Sequence, residues 1–566
     1  VIVLFGSGLL FGQQAEPAKA PDRPAVVRPA LSSRVLSMPV SASARLTVAA
    51  EGAGDALAAL RAWNAEGRAP YREGFARPLA SPLVLKSAGR SAASAGLVSA
   101  QRIRVDVPQA VGLRLRMTNF DLPAGSNLWV WSDGQTPIWF DASLAGGLKE
   151  MWTPSVWADH VNLAIEASGA YEMEVDAVME YVARADSGVE AAGSECLIDG
   201  PCPGTDILDV IAEYRKAVAH LRYVSGNDTL ICTGALVIDS EQTFTPYLLT
   251  ANHCIDAQAQ ASSLEAYWDY ANTSCNGTLP DVNTIPRTNG SSLLVTSPTT
   301  DVTLLRLNAI PNGRVFLGWT AQASAVPNGA ILHRISHPSG APQRYSVTQV
   351  DTSVGTCETK PRPSYIYSTT IAGGVEGGSS GSPVILAGGY VVGQLFGHCG
   401  PEPGNGCNTA NNTVDGAFSA SYPLLAAFLE PSAQCSACVP DAKTACLLGN
   451  RFKVTMPSWN DSFAKLSGQG SVIRYAENVE EVHPTFGPLS ASAFFSMYAH
   501  APKSIESLVR MIKGQNINDK FWVFLTGFTG AEYTIRIEDT QSCRVWQRTV
   551  AAGSTTVVKD FEAFPF

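Results

Sequence analysis

The sequence predicts a mostly β protein built from several domains. The chain has 566 residues, which is too long for one hydrophobic core because domains usually hold ~100–200 residues. Stretches such as Gln101–Val107 and Gly112–Met117 place apolar residues at every second position, the period of a strand with one buried face. The 49 glycines and 35 prolines supply turn residues. Together these features indicate many short strands and few helices.

Composition and charge exclude several classes of function. Hydrophobic residues make up 45% of the chain and charged residues 16%, which is not the composition of a disordered protein. Forty Lys and Arg face 50 Asp and Glu, for a net charge of -10, and no basic run is present. The electrostatic surface that binds nucleic acid is therefore absent, and we expect no nucleic-acid partner.

The first 20 residues predict export. Val1–Gly12 is the only sustained apolar run, and it is shorter than the ~20 residues that cross a bilayer. Small residues follow it and end in Ala18-Lys19-Ala20, a pattern that suits signal peptidase. We predict a partial signal peptide over residues 1–20, a secreted protein and no membrane span once the signal is removed. The alternative is a buried N-terminal strand.

Shifts in composition predict three folded regions after an arm at 21–74, where only Asp55–Trp63 is helical in pattern. Residues 75–188 carry strand patterns and no cysteine, which indicates a β-sandwich. Residues 189–432 contain the first cysteines and further strand-like runs. Only two stretches there, Asp206–Leu221 and Pro423–Leu429, look helical. Residues 441–566 are again strand-like and predict a sandwich-like β domain.

The twelve cysteines all lie at or after Cys196. An even number in an exported chain indicates disulfides rather than metal ligands. Cys435 and Cys438 form a C-x-x-C pair without a second pair of ligands, so a linker disulfide or two separate bridges is expected. His333 and His337 have the spacing of a zinc pair, but no Glu base accompanies them. We expect no metal and no organic cofactor.

Three motifs in the cysteine-bearing region predict nucleophilic catalysis. In chain order they are Leu249–Cys254 (LTANHC), Asp301 at the mouth of a strand, and Gly378–Pro383 (GSSGSP). A serine hydroxyl needs a base, neutral imidazole supplies one near pH 7, and a buried carboxylate fixes the imidazole tautomer. We therefore predict Ser380 as nucleophile, His253 as base and Asp301 as its orienting group. The glycines let the N–H groups of Gly378 and Ser380 converge as an oxyanion hole.

With these motifs in hand, residues 196–429 resemble the trypsin/chymotrypsin-like serine endopeptidases, most closely the bacterial lysyl endopeptidase branch. Cys232–Leu236 (CTGAL) and Gly393–Gly397 (GQLFG) match that branch as well. The resemblance implies a chymotrypsin-like domain of two six-stranded β-barrels, with the triad in the cleft between them. It also implies polypeptide substrates, a monomer and an N-terminal pro-region. The C-terminal region is similar to a small β domain appended to many exported bacterial proteins.

Loop logic and the resemblance together imply the disulfide pairing. The expected bridges are Cys232–Cys254, Cys202–Cys275, Cys196–Cys407 and an additional Cys357–Cys399 near the cleft. A bridge between Cys446 and Cys543 would join strands of the last domain.

The chain departs from the family pattern at two positions. Ser379 stands where chymotrypsin-like zymogens have an Asp that receives the new N-terminus, and Phe396 stands where the lysyl branch has a His. The carboxylate that would select a basic side chain is expected at Asp415 or at Glu376, with Gly393 in the same pocket. The aromatic pair Tyr365 and Tyr367 fits strand packing better than a substrate cleft.

Specificity and activity leave alternatives open. No lysine lies between Glu150 and Arg215, and Arg184 is the one basic residue of the connector before Cys196. A strictly lysine-specific enzyme could not cut itself there, so cleavage after Lys and/or Arg is predicted. The rivals are the same fold with non-basic specificity, or a catalytically silent adhesion or binding protein.

Overall fold

The computed structural model describes most of the chain, in two compact units that divide between Leu425 and Ala426. The described residues are 14–22, 29–41, 44–48, 53–66, 70–87, 99–123, 125–181, 196–202, 208–357, 359–430, 438–440, 444–460, 474–485, 487–496, 505–514, 517–518, 520–540, 545–554 and 557–565.

Strands dominate the described chain, as the sequence predicts, and helices are few. Two helices match their predictions closely, because α2 covers the predicted Asp55–Trp63 and α5 contains the predicted Pro423–Leu429. The helix predicted over Asp206–Leu221 is too long, since a strand begins at Val218. The described helices are α1 (Ser33–Leu36), α2 (Ala53–Ala65), α3 (Leu208–Tyr214), α4 (Gln258–Ser262) and α5 (Phe418–Leu429).

Two sheets in the N-terminal region face each other as a β-sandwich. One has the strand order β4-β11-β6-β9 and the other β3-β5-β10-β7-β8. Their inward side chains, including Leu113, Val161 and Val175, form one buried cluster. The strands of the region are β1 (Gln14–Ala15), β2 (Ala18–Lys19), β3 (Arg45–Thr47), β4 (Tyr71–Lys86), β5 (Ser99–Asp106), β6 (Gly112–Asp121), β7 (Asn127–Trp131), β8 (Ile138–Phe140), β9 (Glu150–Trp152), β10 (His160–Ala167) and β11 (Glu172–Tyr181).

The next region forms a first barrel from strands β13 to β19. The path β16-β13-β14-β15-β19-β18 is closed because β17 pairs with β16 and only Gly290 separates β17 from β18. Gly290 has φ +73°, where a side chain would be strained. The strands are β12 (Ile198–Asp199), β13 (Val218–Ser225), β14 (Asp228–Leu236), β15 (Tyr247–Ala251), β16 (Glu265–Trp268), β17 (Arg287–Asn289), β18 (Ser291–Ser297) and β19 (Val302–Leu307).

A second barrel follows and closes on itself. Its six strands run in the order β26-β25-β22-β23-β24-β27, and β27 pairs back onto β26. The strands of this half are β20 (Val315–Phe316), β21 (Gly318–Thr320), β22 (Ile331–Ser336), β23 (Arg344–Val350), β24 (Tyr365–Ala372), β25 (Pro383–Ile385), β26 (Tyr390–Cys399) and β27 (Asn412–Ala417). The two barrels give the chymotrypsin-like architecture that the resemblance implies.

Strand β4 of the sandwich is also a neighbour of β14 in the first barrel. Tyr71 lies opposite Ile231, and Phe75 lies opposite Asp228 in an antiparallel register. Strand β15 occupies the same edge of β14 only at Ala235 and Leu236. The sandwich sheet therefore continues into the barrel sheet along the part of β14 that β15 leaves unpaired.

The residues of the predicted signal peptide are only partly described. The apolar run Val1–Gly12 lies outside the described residues. Strand β1 pairs with β21 at the edge of the second-barrel sheet, and β2, which contains Ala18 and Lys19, forms a separate two-stranded sheet with β20. Among the described residues, no helix is both long enough and apolar enough to cross a membrane.

The second compact unit contains two sheets packed around one core. The sheet orders are β28-β29-β34-β35 and β30-β31-β32-β33-β36, and Phe452, Val523 and Ile537 are among the shared buried side chains. The strands are β28 (Thr444–Leu447), β29 (Phe452–Asn460), β30 (Arg474–His483), β31 (Gly487–Ser496), β32 (Ser507–Lys513), β33 (Lys520–Gly527), β34 (Glu532–Asp539), β35 (Val545–Val550) and β36 (Val557–Pro565).

Candidate active site

The structure brings the predicted base and its orienting carboxylate into direct contact. Nδ1 of His253 lies 2.7 Å from Oδ2 of Asp301, and the His253 backbone N–H donates to Oδ1 at 2.9 Å. The Asp301 side chain is 4% exposed. A buried carboxylate with two hydrogen bonds to one histidine fixes both the tautomer and the orientation of the ring.

Neighbouring elements hold this pair in place. His253 follows the end of β15 in the first barrel, and Cys254 is disulfide-bonded to Cys232 on β14. Asp301 precedes β19, and its φ of +53° turns the backbone into that strand. Its carbonyl accepts hydrogen bonds from the N–H of Asn252 and from Nε2 of Gln394 on the second barrel. The pair is therefore fixed by residues from both barrels.

The loop that carries Ser380 is anchored to the first barrel. The carbonyl of Ser380 accepts the backbone N–H of Thr233 at 2.8 Å. The next residue, Gly381, has φ +77°, and a Cβ at this position would lie 2.2 Å from Oγ1 of Thr250. Only glycine fits there, which explains the G-x-S-G pattern in physical terms. Ser380 is 4% exposed.

The remaining ring nitrogen of the base is available for chemistry. Nε2 of His253 is buried and has no hydrogen-bond partner among the described residues. No hydrogen bond joins it to Ser380 in this structure, and such contacts often tighten only when substrate binds. The arrangement can transfer a proton from a nearby hydroxyl to Nε2 while Asp301 stabilises the imidazolium.

A tight turn lies before Ser380, where an oxyanion site is predicted. The N–H of Ser379 donates to the carbonyl of Glu376 at 3.0 Å, and Gly378 has φ +98°, as a type II turn requires. The carbonyl of Gly377 accepts the N–H of Ser339 at 2.6 Å. Because N–H and C=O point in opposite directions across a planar trans peptide, the N–H of Gly378 is directed away from Ser339. This orientation leaves it available to an oxyanion.

Two residues that hold this loop were not found from the sequence. Oγ1 of Thr233 donates to the carbonyl of Gly378 at 2.9 Å, in addition to the backbone bond that Thr233 makes to Ser380. Ser339 has φ +51°, and its hydroxyl donates to Oε2 of Glu376 at 2.8 Å. The turn-forming sequence Pro338-Ser339-Gly340 was the available signal for Ser339.

Ser379, which stands at the position of the zymogen Asp, is buried in a hydroxyl pair. The hydroxyl of Ser336 donates to Oγ of Ser379 at 3.0 Å. No carboxylate takes part in this contact. The side chain at this position is therefore held by a neutral hydrogen bond where the family pattern has a charged group.

The prediction that Asp415 is a free carboxylate of the specificity pocket is wrong. Asp415 is fully buried, and its Oδ1 accepts from the Arg334 guanidinium at 2.6 Å. Burial raises the pKa of Asp415 above its usual value, although Arg334 opposes the shift. Arg334 also donates to the carbonyl and hydroxyl of Ser382. This pair belongs to the barrel interior behind the nucleophile loop.

Gly393 lies on β26, and its place in the specificity pocket stays a prediction. Gly393 pairs with Val384 on one side and with Ala417 on the other, inside the second barrel. A Cβ there would lie 2.6 Å from the carbonyl oxygen of Gly416, so the glycine serves the close approach of two strands. Glu376, which is half-buried, remains the candidate carboxylate beside the nucleophile loop.

An aromatic cluster borders the His253 ring. The Phe396 ring lies 5.7 Å from the His253 ring, and Tyr365 lies 6.0 Å from Phe396, both edge-to-face. The ammonium of Lys360 lies over Phe396 at 4.3 Å from the ring centroid. The interpretation of Tyr365 as ordinary strand packing is therefore incomplete, because its ring packs against a neighbour of the base.

The structure forms the four cleft-domain disulfides as paired above: Cys232–Cys254, Cys202–Cys275, Cys196–Cys407 and Cys357–Cys399. The expected Cys446–Cys543 bridge is wrong. Cys446 instead bonds to Cys438, eight residues earlier, which is the pairing that a short connection allows. Cys435 and Cys543 lie outside the described residues.

His333 and His337 make hydrogen bonds to different partners. Nδ1 of His333 contacts the hydroxyl of Tyr345 at 2.8 Å, and Nδ1 of His337 contacts the carbonyl of Ala341 at 2.9 Å. Their zinc-like spacing therefore serves two separate hydrogen bonds.

Comparison with known proteins finds similarity over the two-barrel region. Residues 190–415 match the family model described as lysyl endopeptidase, C-terminal domain. The chain is 30% identical over 258 residues to lysyl endopeptidase of Pseudomonas aeruginosa, which covers 44% of this chain and 55% of that protein. It is also 30% identical over 209 residues to secreted RxLR effector protein 73 of Plasmopara viticola, covering 35% and 47%. The chain thus spans about half the length of the curated relatives that it matches.

Solved protease structures show weaker similarity. The active form of the Rv3671c protease from M. tuberculosis is 17% identical with a TM-score of 0.29, covering 40% of this chain and 86% of that chain. The HtrA-type protease AlgW with tripeptide is 14% identical with a TM-score of 0.30, covering 62% and 97%. The family-model match and the buried His253–Asp301 pair lie in the same segment, and residues 190–415 are similar to the lysyl endopeptidase C-terminal domain.

Proposed function

We propose that the chain is a secreted serine endopeptidase that hydrolyses peptide bonds through an acyl-enzyme. The observation that carries this proposal is the pair of hydrogen bonds that Asp301 accepts from His253, with Nε2 of the same ring unpaired among the described residues and Ser380 on an anchored loop. Nε2 takes the proton as Oγ of Ser380 bonds to the scissile carbonyl carbon. The same proton passes to the leaving amine as the C–N bond breaks, and water then releases the acyl group.

The preference for a basic residue before the scissile bond now depends on Glu376. Asp415 is neutralised by Arg334, whereas Glu376 lies in the turn four residues before the nucleophile. A carboxylate can bind a guanidinium in bidentate fashion, so cleavage after Arg as well as Lys is expected. Profiling the cut sites in a denatured protein digest tests this preference. Cuts mainly after apolar or acidic residues would contradict it.

Secretion is proposed from the disulfide content. The described residues hold five disulfides, and such bonds persist in oxidising compartments. Detection of the protein in the culture medium of its host, and its absence from washed cells, would test export directly.

The N-terminal sandwich is proposed to keep the enzyme latent. Strand β4 pairs with β14 up to Ile231, and Thr233, two residues further, holds the carbonyl of Ser380. An extended substrate commonly binds by adding a strand to a free sheet edge. Strand β4 already occupies the edge of β14 that lies beside Ser380. The contact is reinforced by Glu73, which forms a buried ion pair with Arg222 of β13. The leaving-group side of a substrate would therefore compete with the chain's own residues.

Labelling by a fluorophosphonate tests the function. The intact chain is compared with a chain that has been cut in the connector before Cys196, residues 183–195. Wild-type protein is expected to label at Ser380 and to hydrolyse casein. Ser380→Ala is expected to lose both while it keeps its melting temperature, because loss of the nucleophile in such a triad costs ~10⁶ in rate. A cut chain that neither labels nor hydrolyses would favour the silent binding protein instead.

A further inference from the structure

We propose that Lys360 selects an acidic side chain in the substrate, two to four residues before the scissile bond. The proposal deepens the proposed function, because it assigns a charge preference to the acyl side of the same cleft. It concerns a second position of the substrate and is independent of the residue that is cut.

Lys360 lies close to the catalytic histidine through one intervening ring. Its Nζ is 4.3 Å from the centroid of Phe396 and 5.2 Å from that of Tyr365. The Phe396 ring is in turn 5.7 Å from the His253 ring. The ammonium therefore lies no further from the centre of the His253 ring than the sum of the 4.3 Å and 5.7 Å distances. An extended chain covers that distance in about three residues, at ~3.3 Å per residue.

The loop that carries Lys360 is fixed to the cleft at several points. Its carbonyl accepts the hydroxyl of Tyr367 at 2.6 Å, and its N–H donates to the carbonyl of Cys357 at 3.0 Å. Cys357 is disulfide-bonded to Cys399 at the end of β26. A lysine that is held by its own backbone presents its charge at a defined place, although its side chain is long.

The edge of β26 beside this loop can accept an extended peptide. Strand β25 pairs with β26 only as far as Gln394, and Leu395 makes the last backbone bonds, to Gly381 and Ser382. From Gly397 to Cys399, β26 pairs with β27 on its other side, and Phe396 lies at the irregularity just before this stretch. A substrate strand added along this free edge would pass Phe396 and bring its side chains to Lys360.

The charge of Lys360 is unmatched among the described residues. Residues 196–430 contain only two lysines. Lys216 pairs with Glu213 at 2.6 Å, whereas the described contacts of the Lys360 ammonium are the two aromatic rings. A ring face attracts a cation but does not neutralise it. A substrate carboxylate would supply the missing partner in a partly desolvated site.

The test compares peptides that are identical except for Asp or Asn at the second, third or fourth position before the scissile bond. The enzyme is used after the 183–195 connector has been cut, as wild type, Lys360→Met, Lys360→Glu and the control Lys216→Met. Wild type is expected to favour Asp over Asn about fivefold in kcat/KM at one of these positions, mainly through KM. The preference should shrink as salt is raised from low ionic strength to 0.5 M.

The variants separate a charge effect from a structural one. Lys360→Met should cut the Asp and Asn peptides equally, and Lys360→Glu should favour Asn, while Lys216→Met should behave as wild type. An unchanged Asp preference in Lys360→Met, or no preference in wild type, would overturn this inference and leave the protease assignment standing. Failure of every peptide, together with no fluorophosphonate labelling, would overturn the proposed function and the inference with it.

Discussion

Asp301 holds His253 at two points, since Oδ2 lies 2.7 Å from the ring Nδ1 and Oδ1 accepts the histidine's own backbone N–H at 2.9 Å. One carboxylate thus sets both the ring tautomer and the position of the loop that carries the ring. This double role makes the effect of each substitution at Asp301 specific.

Asp301→Asn is expected to lower kcat by ~10⁴ with little change in KM, because the amide stabilises the wrong tautomer of His253. The backbone bond through Oδ1 can persist, so the fold should survive. Steady-state kinetics and the melting temperature check this expectation. Asp281→Asn, which removes an exposed carboxylate from the loop between β16 and β17 of the same barrel, serves as the control. Full activity in Asp301→Asn would contradict the assigned role.

Asp415→Asn is expected to destabilise the fold and to leave the cleavage preference unchanged. The substitution removes the charge that pairs with Arg334, and an uncompensated buried guanidinium costs about 3–5 kcal/mol. Chemical denaturation measures the loss, and a peptide panel measures the preference. The double variant Asp415→Leu with Arg334→Met should recover much of the stability. A switch of preference at normal stability would restore Asp415 to the specificity pocket.

Glu73→Gln is expected to raise the activity of the uncut chain. The change leaves Arg222 buried beside a neutral group, which weakens the docking of β4 beside the cleft by a few kcal/mol. Glu172→Gln is the matched control. Glu172, on β11, forms an exposed ion pair with Lys86, which lies at the other end of β4 from Glu73. Hydrolysis by the uncut proteins is compared. Equal rates for wild type and Glu73→Gln would contradict latency through this contact.

The free energy of unfolding is expected to fall as pH drops below ~6.5, because of two buried histidines. Burial lowers the pKa of His337 to about 3 and holds the pKa of His220 well below its usual value, with Arg222 adding to the effect. Below pH ~6.5 these two histidines bind protons in the unfolded chain but stay neutral in the folded chain. Each therefore lowers the free energy of unfolding by up to ~1.4 kcal/mol per pH unit.

His220→Phe isolates one of these groups. Both ring nitrogens of His220 lack hydrogen-bond partners among the described residues, so the substitution removes no hydrogen bond from a site that His337 and Tyr270 also line. The melting temperature of the variant should depend less steeply on pH between 6.5 and 4 than that of wild type. Parallel profiles for the two proteins would contradict the prediction.

The sequence predicted best those features that depend on adjacent residues. Ser380 and His253 lie in short motifs. The adjacent glycine and cysteine shape the same loop, so the motif can be recognised from neighbouring residues alone. Asp415 was misassigned because its partner Arg334 is 81 residues away, and no local pattern reports that distance. The helix predicted over Asp206–Leu221 was too long because Val218–Ser225 is buried on both faces, and such a strand shows no alternation.

The pairing of β4 with β14 also sets an order for biosynthesis. Glu73 and its partner Arg222 are 149 residues apart, so the ribosome completes the sandwich edge roughly seven to thirty seconds before the barrel strand that pairs with it, at ~5–20 residues per second. Strand β4 would then be folded when β14 is synthesised, and it could guide the non-local β4–β14 pairing, which is expected to be slow. Refolding of the intact denatured chain should therefore be faster than refolding of a chain whose connector has been cut and whose sandwich has been removed.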